Sequence, residues 1–163
     1  MTDTSVRSDG PISLDTAGVR ARLAAALSHL ERVPLAVLQL LFRCAIAGVF
    51  LPAGLQKIAS WESTVQLFRD EYQVPVLPPE VAAAMSASFE VGCSILLLLG
   101  VCTRLATLPL LGMILVIQTL VYPQAWPEHL TWGSILLFLL ARGGGSLALD
   151  RLLGIEPPRR LGH

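Results

Sequence analysis

Apolar residues along this 163-residue chain fall into four long runs separated by short polar connectors. The first extends from Pro34 to about Ala59 and is broken by Arg43 and Lys57. The second covers about Val81 to Val101, with Glu90 as its only charge. The third, Leu105 to Tyr122, has 18 residues and no charge. The fourth begins near Glu128, continues through Leu140 and ends at Arg142 and the run Gly143-Gly144-Gly145. A helix rising about 1.5 Å per residue needs about 20 residues to cross a bilayer, which the first three runs supply. The fourth has roughly 15 before the glycines, so it spans thinly or extends towards Leu149. A water-soluble bundle would instead need a polar face on every helix, recurring with the helical period. Leu105 to Tyr122 offers only Thr107, Gln118, Thr119 and Tyr122 for such a face. The pattern predicts an all-α fold, a transmembrane four-helix bundle occupying residues 34–150.

Composition agrees. The chain is 53% hydrophobic but only 15% charged, against about 25% in soluble domains, and its mean hydropathy is +0.63. Twelve basic and twelve acidic residues give a formal net charge of zero. That excludes an electrostatic nucleic-acid binder, which needs a basic excess, and leaves the lipid bilayer as the expected partner. The charges are not evenly placed. Arg7, Arg20, Arg22, Arg32, Arg104, Arg142, Arg151, Arg159 and Arg160 all fall on one side of the predicted bundle, nine of the twelve bases. The opposite connectors hold Arg69 with Glu62, Asp70, Glu71, Glu80 and Glu128. Basic connectors face the cytoplasm, so both termini are expected inside. Trp61, Trp126 and Trp132 lie near the opposite ends, where interfacial aromatics sit.

Residues 1–33 lack the apolar run of a secretory signal. From Asp15 onward Val19, Leu23, Leu27 and Leu30 recur at helical spacing among arginines, which reads as a short N-terminal amphipathic helix on the cytoplasmic membrane face or as a lead into the first span. Residues 151–163, with Pro157 and Pro158, read as a flexible cytoplasmic tail. The longest outer connector contains Trp61, Phe68 and Tyr72 before Pro78-Pro79. A small interfacial helix over Ser60 to Tyr72 would act as a lid, or as a passive linker.

Charges inside a span are costly, by about 2.5–3.5 kcal/mol on insertion scales, so each needs a partner. Arg43 and Lys57 are separated by close to four turns and share a face with Gln39. Ser86, Glu90, Cys93 and Ser94 share a face of the second span. Counted from the inner ends, Arg43 and Glu90 have matching depths, which predicts an Arg43–Glu90 ion pair. It would serve as a structural clasp or as a polar centre for a ligand or proton path. Nearer the outer surface, Lys57, Gln118, Tyr122, His129 and Trp132 could together line a pocket for an anionic or quinone-like head group. No metal site is expected, since His129 has no second ligand at helical spacing. Cys44, Cys93 and Cys102 form no CxxC and read as small apolar fillers, although Cys44 and Cys93 have similar expected depths, so their pairing is geometrically open. Without CxxCH, GxGxxG or a P-loop, no cofactor is expected in the chain itself.

The stretch Leu41-Phe42-Arg43-Cys44-Ala45-Ile46-Ala47-Gly48-Val49-Phe50, followed by Gly54-Leu55-Gln56-Lys57, resembles the first-helix signature of DoxX-type membrane proteins. Glu90-Val91-Gly92, with Leu99-Gly100 and Arg104-Leu105-Ala106, resembles the second-helix pattern. Gly143-Gly144-Gly145-Ser146-Leu147-Ala148-Leu149-Asp150 is similar to the family's glycine-rich Ser-x-Asp ending, with two extra residues before Asp150. The resemblance covers about residues 36 to 152. It implies a multi-pass protein of the bacterial cytoplasmic (inner) membrane, similar to the small membrane subunit of thiosulfate:quinone oxidoreductases. Two functions follow. One is a membrane subunit of a quinone-linked sulfur or thiol redox system. There Arg43 and Glu90 form the polar core, Lys57 and His129 orient quinone oxygens, and redox partner subunits carry the electrons. The other is a non-catalytic scaffold or small-molecule handling protein that docks soluble partners through its N-terminal helix and Arg-rich tail. Small residues on the spans (Gly48, Gly54, Gly92, Gly112, Gly133) also allow close packing between chains, so a homo-oligomer is compatible with either.

Overall fold

The computed structural model describes residues 16–30 and 33–154, and among these it contains only helices and turns. They belong to two compact units divided between Val33 and Pro34. The first holds one helix, α1 (Thr16–Leu30), which is rich in alanine and arginine, both strong helix formers. Val19 and Leu23 are exposed on it. Asp15, expected to open this helix, and residues 155–163 of the expected tail lie outside the described residues.

The second unit begins with α2 (Leu35–Ala59). Next comes α3 (Trp61–Leu67), which widens into a π-helical turn at Phe68–Tyr72. After α4 (Pro79–Leu99), α5 (Thr103–Val116) also ends in a π-helical turn, Ile117–Val121. The last elements are α6 (Trp126–Arg142) and the single turn α7 (Leu149–Leu152). Pro79 occupies the first turn of α4, where a missing N–H costs nothing. The same helix stops at Gly100, whose φ of +70° closes a Schellman motif: Val101 N donates to Leu96 O at 2.9 Å and Gly100 N to Leu97 O at 3.1 Å.

Helix α2 packs along α4, α4 on α5, α5 on α6, and α6 back on α2, closing a ring of four. Ile46, Phe50, Cys93, Leu97, Leu110, Ile114, Leu136 and Leu139 fill its centre. The polar residues Gln39, Arg43, Glu90, Thr103, Thr107 and His129 are buried as well. Outside, Leu41, Leu55, Leu105, Leu108, Leu115 and Leu137 are each at least half exposed. A ring of exposed leucine around buried charge is stable only where the surrounding medium is apolar, which makes this a membrane protein. Three helices, Leu35–Ala59, Pro79–Leu99 and Thr103–Val121, have the length and apolarity to cross a bilayer. Helix α6, with 17 residues, rises roughly 26 Å. Trp132, expected at an interface, instead packs edge-on against Phe50 with ring centroids 5.7 Å apart, while Trp61 and Trp126 are exposed.

Two glycines set the register of α2 against the antiparallel α4. A Cβ on Gly54 would lie 2.8 Å from both Glu90 Cβ and Val91 Cγ2 and 3.1 Å from the Val91 backbone nitrogen. A Cβ on Gly100 would collide with Arg43 Nη1. Gly54 is therefore level with Glu90, and Arg43 with Gly100. We expect Gly54→Ala to force the two helices apart and to cost about 1–3 kcal/mol, as overpacked cores do. Gly48→Ala, with nothing within 4 Å of its Cβ, should leave stability unchanged or slightly raised. Thermal unfolding in micelles checks the pair, and equal effects of both substitutions would contradict the register.

Candidate functional site

That register corrects the expected Arg43–Glu90 pair. The two residues sit about ten positions apart along the helix axis, roughly 15 Å. Depth counted from helix ends misleads here because α2 overhangs α4: its first two turns pack beside the glycine-rich loop after α6. At this glycine-loop end Gln39 Nε2 donates to Gly143 O at 2.9 Å and to Arg142 O at 3.1 Å. Arg43, 1% exposed, donates from Nη2 to Leu147 O at 3.2 Å, and its Nε and Nη1 have no hydrogen-bond partner among the described residues. The Asp150 carboxylate lies close enough to act on its charge. Asp150 itself accepts from Cys102 N at 2.7 Å and Thr103 N at 3.0 Å, which caps α5. The offset also separates Cys44 from Cys93. Both are free thiols, the first on the exposed surface and the second in the core.

Glu90 pairs with Lys57. Nζ lies 2.8 Å from Oε1 and 2.7 Å from Oε2, and the two side chains are 18% and 4% exposed. Lys57 stands one turn beyond Gly54 on α2, so the missing Cβ that lets the helices touch also brings the ammonium onto the carboxylate. Such a pair, out of water, is held by mutual charge and by direct hydrogen bonds.

The pair sits in the wall of a cavity of ≈ 440 Å³ between α4, α5 and the connector preceding α4. Phe89, Met85 and Ala82 of α4 and Pro109, Gly112 and Met113 of α5 line it. Phe68, Tyr72, Val74 and Leu77 of the connector close one side, and Ile117 and Val121 bring in the second π-turn. The connector thus supplies a wall, the lid alternative of the sequence. It is tied down by Phe68 packing on Ala82 and Ala83 and by an exposed Arg69–Glu80 bridge of 2.7 Å. Apart from the ion pair, Ser86 and the Tyr72 hydroxyl, the lining is apolar.

Of the five residues expected to form one pocket, only Lys57 lines this cavity. Gln118, His129 and Trp132 occupy the seam between α5 and α6. His129, 5% exposed, has Nδ1 2.7 Å from Gln118 Oε1, and its ring is 5.6 Å from that of Trp132. Gln118 Nε2 donates to Pro123 O at 2.8 Å, so its oxygen faces the imidazole and Nδ1 carries the proton. Tyr122 turns towards the connector. Its hydroxyl donates to Glu71 Oε1 at 2.5 Å, and its ring meets Tyr72 edge-on at 5.8 Å. The Glu71 carboxylate holds the Tyr122 phenol above the ordinary tyrosine range, and burial pushes Tyr72 up. Both phenols therefore stay protonated near neutral pH. Helical spacing could not separate these clusters, because residues on one helix face different neighbours on its two sides. The sequence reading also missed Ser86's place on the cavity and the roles of Glu71 and Tyr72. An acid beside an aromatic in the connector was the available signal. Among the described residues no group of three metal-ligating side chains converges.

Comparison with protein families places this geometry in context. A family model described as DoxX matches residues 38–123, which covers α2 through the second π-turn and hence the ion pair and the cavity. Neither the curated proteins nor the solved structures gave a match.

Proposed function

The chain belongs to the DoxX family, and from that premise we propose that it is a membrane subunit of a quinone-linked sulfur or thiol redox system. In this reading α6 crosses as a fourth, short span, and the connector end faces outward from the bacterial inner membrane. The cavity beside Lys57 and Glu90 holds the quinone head group. The observation that carries this is a single ion pair in a cavity whose lining is apolar apart from Ser86 and the Tyr72 hydroxyl. A quinone offers flat apolar surface and two carbonyls that become hydroxyls on reduction. Two of the three N–H bonds of Lys57 go to Glu90, and the third suits a carbonyl oxygen. The Glu90 carboxylate suits the hydroxyl of the reduced form. Electrons come from the oxidation of a reduced sulfur compound by a partner subunit.

A photoreactive azidoquinone tests the reading. With purified protein in nanodiscs we expect light-dependent labelling of Met85, Phe89 or Met113, competed by unlabelled quinone and lost in Glu90→Gln. Labelling confined to lipid-facing leucines, or unaffected by competitor, would remove the cavity from the proposal. Donor-dependent quinone reduction in native membranes should likewise fall in Lys57→Met. Unchanged turnover there would remove the redox role.

A further inference from the structure

We infer that Tyr72, Tyr122 and Glu71 form a proton path between the cavity and the solvent at the connector end. The inference rests on the quinone reading of the cavity and supplies what that chemistry requires. Reduction of a quinone takes two electrons and two protons; oxidation of two thiols to a disulfide, the donor class named above, releases the same number. Tyr72, Tyr122 and Glu71 move only the protons.

The path is graded in exposure. Glu71 is exposed, Tyr122 and Tyr72 are half-buried, and Glu90 is 3% exposed. Its first link is the 2.5 Å hydrogen bond from the Tyr122 hydroxyl to Glu71. At the next, the Tyr72 and Tyr122 rings meet edge-on with centroids 5.8 Å apart, which makes their hydroxyls neighbours. The Tyr122 proton is directed to Glu71, so onward transfer to Tyr72 requires the Tyr122 hydroxyl to rotate between the two. Tyr72 and Glu90 then line the same cavity, which has room for water to join the ends before a head group takes its place. A phenol passes a proton by accepting one while giving another, so neither tyrosine has to ionise. The charged groups facing this line are Lys57 of α2, Glu90 of α4 and Glu71 of the connector, with Ser86 as the neutral neighbour of Glu90.

The local backbone is specific to this arrangement. Both tyrosines stand at the ends of π-turns, closed by Gln73 N to Phe68 O at 3.0 Å and Tyr122 N to Ile117 O at 2.8 Å. These two turns touch each other. Each wider turn rotates its last residue away from the α-helical direction, and π-turns recur at functional sites. Apart from Ser86 beside Glu90, the rest of the wall, including Phe68, Val74, Leu77 and Phe89, is apolar.

The test uses the full chain in nanodiscs and infrared detection of Glu90 protonation after an acid pH jump, with Glu90→Gln identifying the band. Tyr122→Phe keeps the ring contact and removes the hydroxyl. We expect it to slow protonation at least tenfold while quinone affinity stays within twofold of the parent protein. Glu71→Gln, which still accepts a hydrogen bond but not a proton, should slow it similarly. Parent-like rates in both variants would overturn the path, since a purely structural contact predicts that result. Failure of the parent protein to bind quinone would instead count against the proposed function, because the Glu90 band reports on the path without ligand.

Discussion

Lys57→Met is expected to lower the stability of the protein by about 3–5 kcal/mol, the usual effect of removing one partner from a buried ion pair. The remaining Glu90 carboxylate is 4% exposed at its side chain and would be left beside the apolar faces of α4 and α5. The double variant Lys57→Met/Glu90→Leu should recover most of that loss, because replacing both partners with apolar groups of similar volume removes the uncompensated charge. Urea or thermal unfolding in micelles measures the three proteins on one scale. The informative comparison is function in the double variant. If the cavity holds a quinone as proposed, this folded and stable variant should nevertheless fail to retain it, since it lacks both the N–H donor and the carboxylate. Retained affinity would mean that the pair only clasps α2 to α4. A Lys57→Met protein as stable as the parent would mean that the pair is not insulated from solvent.

Much of the architecture could be read from the apolar runs, because the bilayer imposes both the length and the polarity of its helices. The four runs became α2, α4, α5 and α6, and the buried stripe Gln39–Arg43–Phe50–Gly54 follows directly from helical spacing. The pairing of charges could not be read that way. It depends on the axial offset between two antiparallel helices, and that offset is set by contacts with no periodic signature. One is the missing Cβ at Gly54. The other is the overhang of α2 onto the loop after α6. The outer cluster was obscured for a related reason. Gln118 and Tyr122 are four residues apart, which on an α-helix would put them on one face. The π-turn at Ile117–Val121 breaks that rule, sending Gln118 to His129 and Tyr122 to Glu71. A π-turn depends on tertiary packing more than on local residue preference, so the spacing alone gave the wrong grouping.

Asp150→Ala should be the second large effect, about 0.5–2 kcal/mol for the lost helix cap plus a contribution through Arg43, although the residue lies at the far end of the bundle from the cavity. Helix α5 begins at Thr103 without a side-chain cap from its own Cys102, which has a left-handed φ of +48°. Its first donors are satisfied by Asp150, reached across 47 residues of sequence. Loss of such a cap costs about 0.5–2 kcal/mol by itself. A further contribution comes from Arg43. Its guanidinium is buried with two nitrogens unbonded among the described residues, and Asp150 acts on its charge. The two form no direct ion pair among the described residues, so removing the carboxylate takes away a longer-range attraction on a buried cation. The two contributions can be separated. Arg43→Met alone removes the cation and should cost less than Asp150→Ala. In the double variant Arg43→Met/Asp150→Ala the loss should shrink towards that of the missing cap, giving a coupling energy of about 1–3 kcal/mol. Additive losses would show that Asp150 acts on α5 alone. Asp150→Asn sharpens the distinction: it keeps an oxygen for one backbone N–H but has no charge for Arg43. It should therefore fall between the parent protein and Asp150→Ala, and the quinone binding proposed for the distant cavity should survive in whatever fraction remains folded.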